Sequence, residues 1–129
     1  MTKLVGDTID KKDMAELAEW LTSGSDVPRL TKGPLTVEFE KKWAKKLGTK
    51  YSIFCNSGSS AILLMLYALK VSGRLKNDKI IVPSLSWVTD VSSVMQLGLQ
   101  PILCDSNMED LAVDLDHLEE LFIKENPTC

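Results

Sequence analysis

The sequence predicts an α/β protein with a three-layer α/β/α architecture. Segments with strand character, at 51–55, 79–83 and 101–105, alternate with segments that have helical periodicity. Strands separated by helices pair in parallel through crossover connections. The segment 80–82 (IIV) is apolar without alternation, which indicates a strand that is covered on both faces. A length of 129 residues, 44% hydrophobic, fits about one globular domain.

The first two helices are predicted by apolar spacing and by end signals. An i, i+3, i+4, i+7 pattern predicts a helix over 10–22 with Asp10 as N-cap; its apolar positions are Met14, Leu17, Ala18 and Leu21. After a loop over 23–33, Pro34 suits the first position of a second helix, and Gly48 suits its end. One face of that helix carries Phe39, Trp43 and Leu47, and the charged run 38–46 is expected to be a solvated face.

Three further helices are predicted between and after the strands. The segment 61–71 is apolar almost all round, so we expect a buried helix. A helix over 88–97 is expected to end at Gly98. A last helix is marked by Leu115, Leu118, Leu121 and Phe122. We expect residues 1–33 to form an N-terminal helix and loop, and 34–129 to form the α/β core of the same domain.

Composition and charge exclude several classes of protein. The net charge is -3 with no basic block, which argues against nucleic acid or an anionic membrane as a partner. The longest apolar run, 61–69, is about half the ~20 residues of a membrane span, and the N-terminus lacks a signal-peptide core. Three cysteines without C-x-x-C spacing indicate neither disulfides nor a metal site. We expect a reduced, cytoplasmic location.

The most informative short stretch is NSGSSA, at 56–61, which follows the first predicted strand and opens a helix. Backbone N–H groups at a helix start have no intrahelical partner, and the helix dipole adds positive charge there. Gly58 allows close approach of a ligand, and Ser57, Ser59 and Ser60 supply hydroxyl donors. These residues suit a phosphate. A serine-rich N-cap without any ligand explains the same residues, and the spacing matches no nucleotide-binding loop.

Other candidate residues have ordinary structural interpretations. Trp87 follows the second strand, and taken alone it is best explained as a core or cap aromatic. Cys55 and Cys104 end apolar strands and are expected to be small core residues. His117 is expected to be a solvated surface histidine. Asp90 and Asp105 lie near strand ends, where turn or helix-start roles are as plausible as ligand contact.

The order of several segments resembles the DegT/DnrJ/EryC1/StrS family of sugar aminotransferases, over residues 28–125. The segments are LTKGPLTVEFEKKWAKKLGTKY, CNSGSSAILLMLYAL, KIIVPSLSWVTDVSSVMQLGLQPILCD and LAVDLDHLEELF. The resemblance implies part of the large domain of a fold-type I enzyme dependent on pyridoxal 5′-phosphate (PLP). It also implies a nucleotide-linked keto-sugar as substrate, glutamate or glutamine as amino donor, and a homodimer.

Residue by residue, the resemblance implies a cofactor site. Gly58, Ser59 and Ser60 match the loop that binds the cofactor phosphate, and Trp87 matches the aromatic residue that stacks on its ring. Thr31 and Lys32 match a segment near the sugar nucleotide and are weaker candidates for substrate contact. A phosphate anchor fixes one end of the cofactor, while a stacked indole fixes its plane.

The chain departs from the family pattern in one respect. The catalytic lysine and the aspartate that pairs with the pyridine nitrogen lie in later parts of family sequences, so no catalytic residue is assigned here. We therefore expect an N-terminal fragment that is inactive alone. A related branch replaces the lysine by histidine and performs a dehydration, and that alternative stays open. So does a phosphate-binding or interaction module without chemistry of its own.

Overall fold

The computed structural model describes residues 8–24 and 28–129, and the chain divides into two compact units, Met1–Phe54 and Cys55–Cys129. The elements, in chain order, are α1 (Lys11–Thr22), α2 (Pro34–Leu47), α3 (Gly58–Val71), β1 (Lys79–Pro83), α4 (Val88–Gln96), β2 (Gln100–Cys104) and α5 (Leu115–Glu125). Helices and parallel strands alternate in the second unit, so the α/β class is confirmed. None of the helices in the described ranges is long and apolar enough to cross a bilayer.

Helix α1 begins as its sequence predicts. The Asp10 carboxylate accepts hydrogen bonds from the backbone N–H groups of Lys12 (2.7 Å) and Asp13 (3.0 Å), and the Asp13 carboxylate accepts from the N–H of Asp10 (2.9 Å). This reciprocal capping box satisfies N–H groups that have no partner inside the helix. Its apolar stripe is not covered within the first unit, because none of the residues of α1 is buried.

Helix α2 also has the predicted ends. Pro34 occupies its first turn, and Gly48 ends it in the left-handed conformation, at φ 70°. The ring of Phe39 stacks on Trp43, with centroids 5.9 Å apart, and meets Phe54 edge-on at 5.5 Å. This aromatic cluster joins α2 to the end of the first unit.

The prediction of a strand over 51–55 is wrong, because these residues do not form a strand in the structure. The N–H of Phe54 instead donates to the carboxylate of Glu40, at 3.0 Å. A strand exists only through a backbone ladder with a neighbour. In the described residues the paired strands are β1 and β2. The strand propensity of 51–55 was therefore not sufficient to form a strand, because a strand also needs a neighbouring strand with which it forms a ladder.

The second unit is built on a parallel pair of strands. β1 and β2 pair with Ile80 opposite Pro101 and Ile81 opposite Ile102, which confirms the parallel arrangement; β2 starts and ends one residue before the predicted 101–105. Helix α4 packs against both strands. The core of the unit is apolar and consists of Leu66, Ile80, Val82, Val94 and Leu99.

The other edge of β1 meets the last residues of the chain. The N–H of Ile81 donates to the carbonyl of Cys129 (2.7 Å), and the N–H of Thr128 donates to the carbonyl of Lys79 (3.0 Å). The hydroxyl of Thr128 accepts from the N–H of Asn77 at 2.9 Å and donates to the Asn77 carbonyl at 2.8 Å. Both edges of β1 are therefore hydrogen-bonded.

The prediction that the third helix is buried is wrong. Helix α3 begins at Gly58, earlier than the predicted residue 61, and buries one residue, Leu66. Four large apolar side chains on it are exposed: Leu64, Met65, Tyr67 and Val71. In the second unit the helix packs against α4, so one face is covered while the rest of its apolar surface meets solvent.

Candidate functional site

The start of α3 is organised by Ser57, the N-cap residue of the helix. The hydroxyl of Ser57 accepts from the backbone N–H of Ser60 and donates to the hydroxyl of Ser60, both at 3.2 Å. A backbone bond from the N–H of Ala61 to the carbonyl of Ser57, at 3.1 Å, begins the helical series. Ser57 thus fixes the first turn through both its side chain and its backbone.

The hydrogen-bonding capacity at this turn favours an anionic ligand. A hydroxyl has one proton to donate, and Ser57 donates its proton to Ser60. Ser60 keeps its own proton for another acceptor, as does Ser59 beside it. A Cβ added at Gly58 would meet nothing within 4 Å, so the space beside Gly58 is open. Helix dipole, hydroxyl donors and open access together suit a phosphate.

A groove of about 580 Å³ lies beside this turn in the second unit. Asn56 and Ser60 provide polar groups; the remaining lining residues are Cys55, Leu63, Leu64, Tyr67, Gln96 and Leu97. The amine of Lys70 donates to the carbonyl of Leu97, near the end of α4, which ties α3 to α4. The groove therefore combines a polar corner with apolar walls, a composition common to small-molecule sites.

Trp87 lies at the start of α4, directly after the loop that follows β1. It is the N-cap residue of that helix and makes no side-chain capping bond. Trp87 is 66% exposed, so the interpretation as a core aromatic does not hold, whereas its N-cap position agrees with the interpretation as a cap aromatic. An exposed indole at this position offers an open face for a planar ring. Trp87 is not among the residues that line the groove beside Ser60.

Thr31 and Lys32 belong to the first unit, where both have partners. The hydroxyl of Thr31 accepts from Nε of Arg29, at 3.2 Å. Nζ of Lys32 lies 3.4 Å from the carboxylate of Glu40, whose side chain is 13% exposed. The hydrogen bond from Phe54 and the neighbouring Lys32 lower the pKa of Glu40. The charged run 38–46 is thus not uniformly solvated, because Glu40 turns inward.

The remaining singled-out residues have structural roles. Cys104 is buried as expected, and burial raises the pKa of its thiol, with Asp114 and Asp105 adding to the effect; Cys55 is half-buried. The expectation for His117 is wrong, because it is half-buried and its Nδ1 accepts from the N–H of Asp105, at 3.1 Å. Within residues 8–24 and 28–129 no cluster of acidic, histidine or cysteine side chains could hold a metal ion.

The sequence pattern indicated Ser57 as a hydroxyl donor to a phosphate, and it did not indicate Glu40. Ser57 instead gives its proton to Ser60 and caps the first turn of α3, as the interpretation of this stretch as a serine-rich N-cap predicts. Glu40 joins Lys32 to the backbone of Phe54, fourteen residues further along the chain. No local pattern indicates that contact, because it depends on how α2 packs against the segment that follows it.

The family model described as the DegT/DnrJ/EryC1/StrS aminotransferase family matches residues 7–126. The chain belongs to this family. Among curated relatives of this family member, a GDP-4-keto-6-deoxy-D-mannose 3-dehydratase from Yersinia pseudotuberculosis is 34% identical over 119 residues, 90% of the chain. A GDP-perosamine synthase from Caulobacter vibrioides is 37% identical over 89 residues, 69% of the chain.

Solved structures of the family have the same fold. The E. coli GDP-4-keto-6-deoxy-D-mannose-3-dehydratase with bound hydrated PLP superposes with a TM-score of 0.74, at 34% identity over 91% of the chain. A sugar aminotransferase from Streptococcus pneumoniae in its PLP form gives a TM-score of 0.67 at 27% identity over 87% of the chain. The chain spans 29% and 23% of the two curated relatives and 30% and 27% of the two solved chains. It therefore has the fold of part of a fold-type I large domain.

Proposed function

We propose that this chain forms part of the PLP site of an enzyme that transfers an amino group to a nucleotide-linked keto-sugar. The observation that carries the proposal is the serine-capped start of α3, with open space beside Gly58, in a chain that superposes on a PLP-containing family structure. The donors at that turn fit a phosphate, and the exposed indole of Trp87 fits a planar ring, so the residues present suit this cofactor.

Each residue of the proposed site has a separate task. Gly58, Ser59 and Ser60 hold the phosphate, through N–H groups of the helix start and two hydroxyl protons. Trp87 fixes the plane of the cofactor ring, and offset stacking adds about 0.5–1.5 kcal/mol beyond burial. When bound, the cofactor supplies an electron sink for carbanion chemistry at the substrate, and orientation of the ring is the contribution of this chain. Thr31 and Lys32 are proposed to contact the sugar nucleotide.

The cofactor proposal is tested with pyridoxamine 5′-phosphate, which has no aldehyde and so cannot react with surface lysines. Binding to the chain is measured by equilibrium dialysis. We expect Ser59→Ala to weaken binding by about 1.5–3 kcal/mol, the range for a hydrogen bond to a charged group. Trp87→Ala should also weaken it, and Trp87→Phe should lose less because a phenyl ring still stacks.

Matched control variants distinguish the loss of a contact in the proposed site from a general effect of substitution on binding. Ser72 caps the opposite end of α3, where its hydroxyl donates to the carbonyl of Leu69 at 2.7 Å, so Ser72→Ala should leave binding unchanged. Trp20→Ala, in the first unit, should do the same. Equal losses in Ser59→Ala and Ser72→Ala would contradict the phosphate site. Binding of inorganic phosphate with no preference for the pyridoxamine compound would instead favour the module without chemistry of its own.

Dehydration of the sugar is the second candidate reaction. It is favoured by the 34% identity to the Yersinia 3-dehydratase and by the superposition on the E. coli 3-dehydratase. Amino transfer is supported by the family model, which describes an aminotransferase family, and by the similarity to the GDP-perosamine synthase. Both reactions use the same elements of this chain, because both need the phosphate and the ring held in place.

The product distinguishes the two reactions. A protein that contains this segment is incubated with PLP, ¹⁵N-glutamate and GDP-4-keto-6-deoxy-D-mannose, and the sugar is analysed by mass spectrometry. We expect ¹⁵N in the sugar, as amino transfer requires. A nitrogen-free sugar that has lost its C3 hydroxyl would establish dehydration and overturn the amino-transfer proposal. The homodimer implied by the family resemblance stays a prediction, tested by the mass of the same protein in solution.

A further inference from the structure

We propose that Ser86 and Asp90 are positioning residues that hold Trp87 in the orientation needed to stack on the cofactor ring. The inference rests on the proposed function, because it concerns the residue assigned there to the ring. It is carried by the hydrogen bonds that enclose Trp87, between the end of β1 and the first turn of α4.

Asp90 bonds to the chain on both sides of the Trp87 side chain. Its carboxylate accepts a hydrogen bond from the hydroxyl of Ser86, one residue before the tryptophan. Its backbone N–H donates to the carbonyl of Trp87 itself, at 2.9 Å. At the root of the loop, the N–H of Ser84 donates to the carbonyl of Cys104, the last residue of β2, at 2.7 Å. The backbone that carries the indole is therefore fixed at three points.

The indole needs such fixing because side-chain packing does not supply it. Trp87 is 66% exposed, and its neighbours Leu85 and Val88 are 59% and 73% exposed. In the described residues, the stacked and edge-on ring pairs involve Phe39, Trp43 and Phe54, not Trp87. An aromatic side chain without packed neighbours samples several rotamers. Fixing the backbone at residue 87 limits the directions in which the ring can point.

The chemistry of Ser86 also separates it from the serines of the phosphate site. A carboxylate can only accept, so the single hydroxyl proton of Ser86 is given to Asp90. Ser86 then has no proton to donate to a phosphate, whereas Ser59 and Ser60 do. Ser86 is thus assigned to holding the loop, although it also lies in a serine-containing loop that follows a strand.

The test measures affinity for pyridoxamine 5′-phosphate in the full chain. Ser86→Ala and Asp90→Ala should each weaken binding about three- to tenfold, the range of one hydrogen bond. Ser86→Thr and Asp90→Asn, which keep a donor and an acceptor, should bind nearly as the original chain does. In a Trp87→Ala background neither alanine variant should cause further loss, because both act through the indole.

A second measurement needs no ligand. With Trp20→Phe and Trp43→Phe, the remaining tryptophan is Trp87, and its fluorescence anisotropy reports the mobility of the ring. Ser86→Ala and Asp90→Ala should lower the anisotropy. Asp116→Ala, which removes an acid from the first turn of α5, is the control for a general helix-start effect and should change neither anisotropy nor affinity.

The outcomes separate this inference from the proposed function. Weaker binding in Trp87→Ala, with unchanged binding and anisotropy in Ser86→Ala and Asp90→Ala, would overturn the positioning role and leave the cofactor site in place. Unchanged binding in Trp87→Ala would overturn this inference and the ring-stacking role of Trp87, and the phosphate site would then be judged by Ser59→Ala alone. Losses of equal size in the original and the Trp87→Ala background would show a structural role for the pair and would also overturn the inference.

Discussion

Each of the two units of the chain is stabilised internally by a different kind of interaction. The first unit relies on helix caps, an aromatic cluster around Phe39 and the carboxylate of Glu40, and its helix α1 buries no residue. The second unit has a parallel strand ladder and an apolar core, with Val94 1% exposed. The residues proposed for the cofactor lie in the second unit, and those proposed for the sugar nucleotide lie in the first. From this difference we expect the segment proposed to hold the cofactor to resist deformation more than the segment proposed to contact the sugar nucleotide.

The largest expected effect comes from the core of the second unit. Leu66→Ala removes the buried residue of α3, 4% exposed, and should lower the free energy of unfolding by about 2–5 kcal/mol. Leu17→Ala, on α1 at 47% exposure, should change it by about 0.5 kcal/mol at most. Urea unfolding followed by circular dichroism gives both values. Similar losses from the two leucines would remove the distinction between the units.

An intermediate effect is expected from Thr128, which connects the end of the chain to the turn before β1. Its hydroxyl accepts from the N–H groups of Lys76 (3.0 Å) and Asn77 (2.9 Å). Thr128→Val leaves these groups without that partner and should cost about 1–3 kcal/mol. Thr22→Val is the matched control, because the Thr22 hydroxyl bonds only to exposed carbonyls within its own helix region. Faster hydrogen exchange at Lys76 and Asn77 should accompany the loss.

The smallest effect is a pH dependence from Glu125, which lies 2.8 Å from Nζ of Lys79 at the start of β1. The hydrogen bond and charge of Lys79 hold the pKa of Glu125 below its ordinary value of 4.5. A carboxyl with a lowered folded-state pKa stabilises the fold above its unfolded pKa, and that stability is lost as the pH falls through the folded value. Glu125→Gln should therefore lower stability at neutral pH and reduce its fall on acidification below about pH 4.5.

The control for this prediction is Glu119→Gln, an exposed position on the same helix. Thermal unfolding of the three chains at a series of pH values measures the difference. If Glu125→Gln and the original chain lose stability in parallel on acidification, the ion pair between α5 and β1 does not stabilise the second unit.

The sequence by itself determined the features that depend on neighbours along the chain. Asp10 begins α1, Pro34 begins α2 and Gly48 ends it, because capping and left-handed backbone are decided within one helical turn. The parallel pairing of 79–83 with the following strand was also readable, because a helix separates the two. The ordered segments that resemble the family were matched over nearly the whole chain.

Tertiary structure decided whatever depends on partners distant in sequence. The segment 51–55 has strand composition yet forms no ladder. The apolar helix α3 is covered on only one of its faces. The inward turn of Glu40 toward Phe54 and the bond from Asp105 to His117 likewise join separate segments. Propensity and periodicity describe what a segment can bury or pair. Whether it does so depends on which surfaces the rest of the fold brings to it. A ladder needs a second strand, and a core needs a second apolar surface.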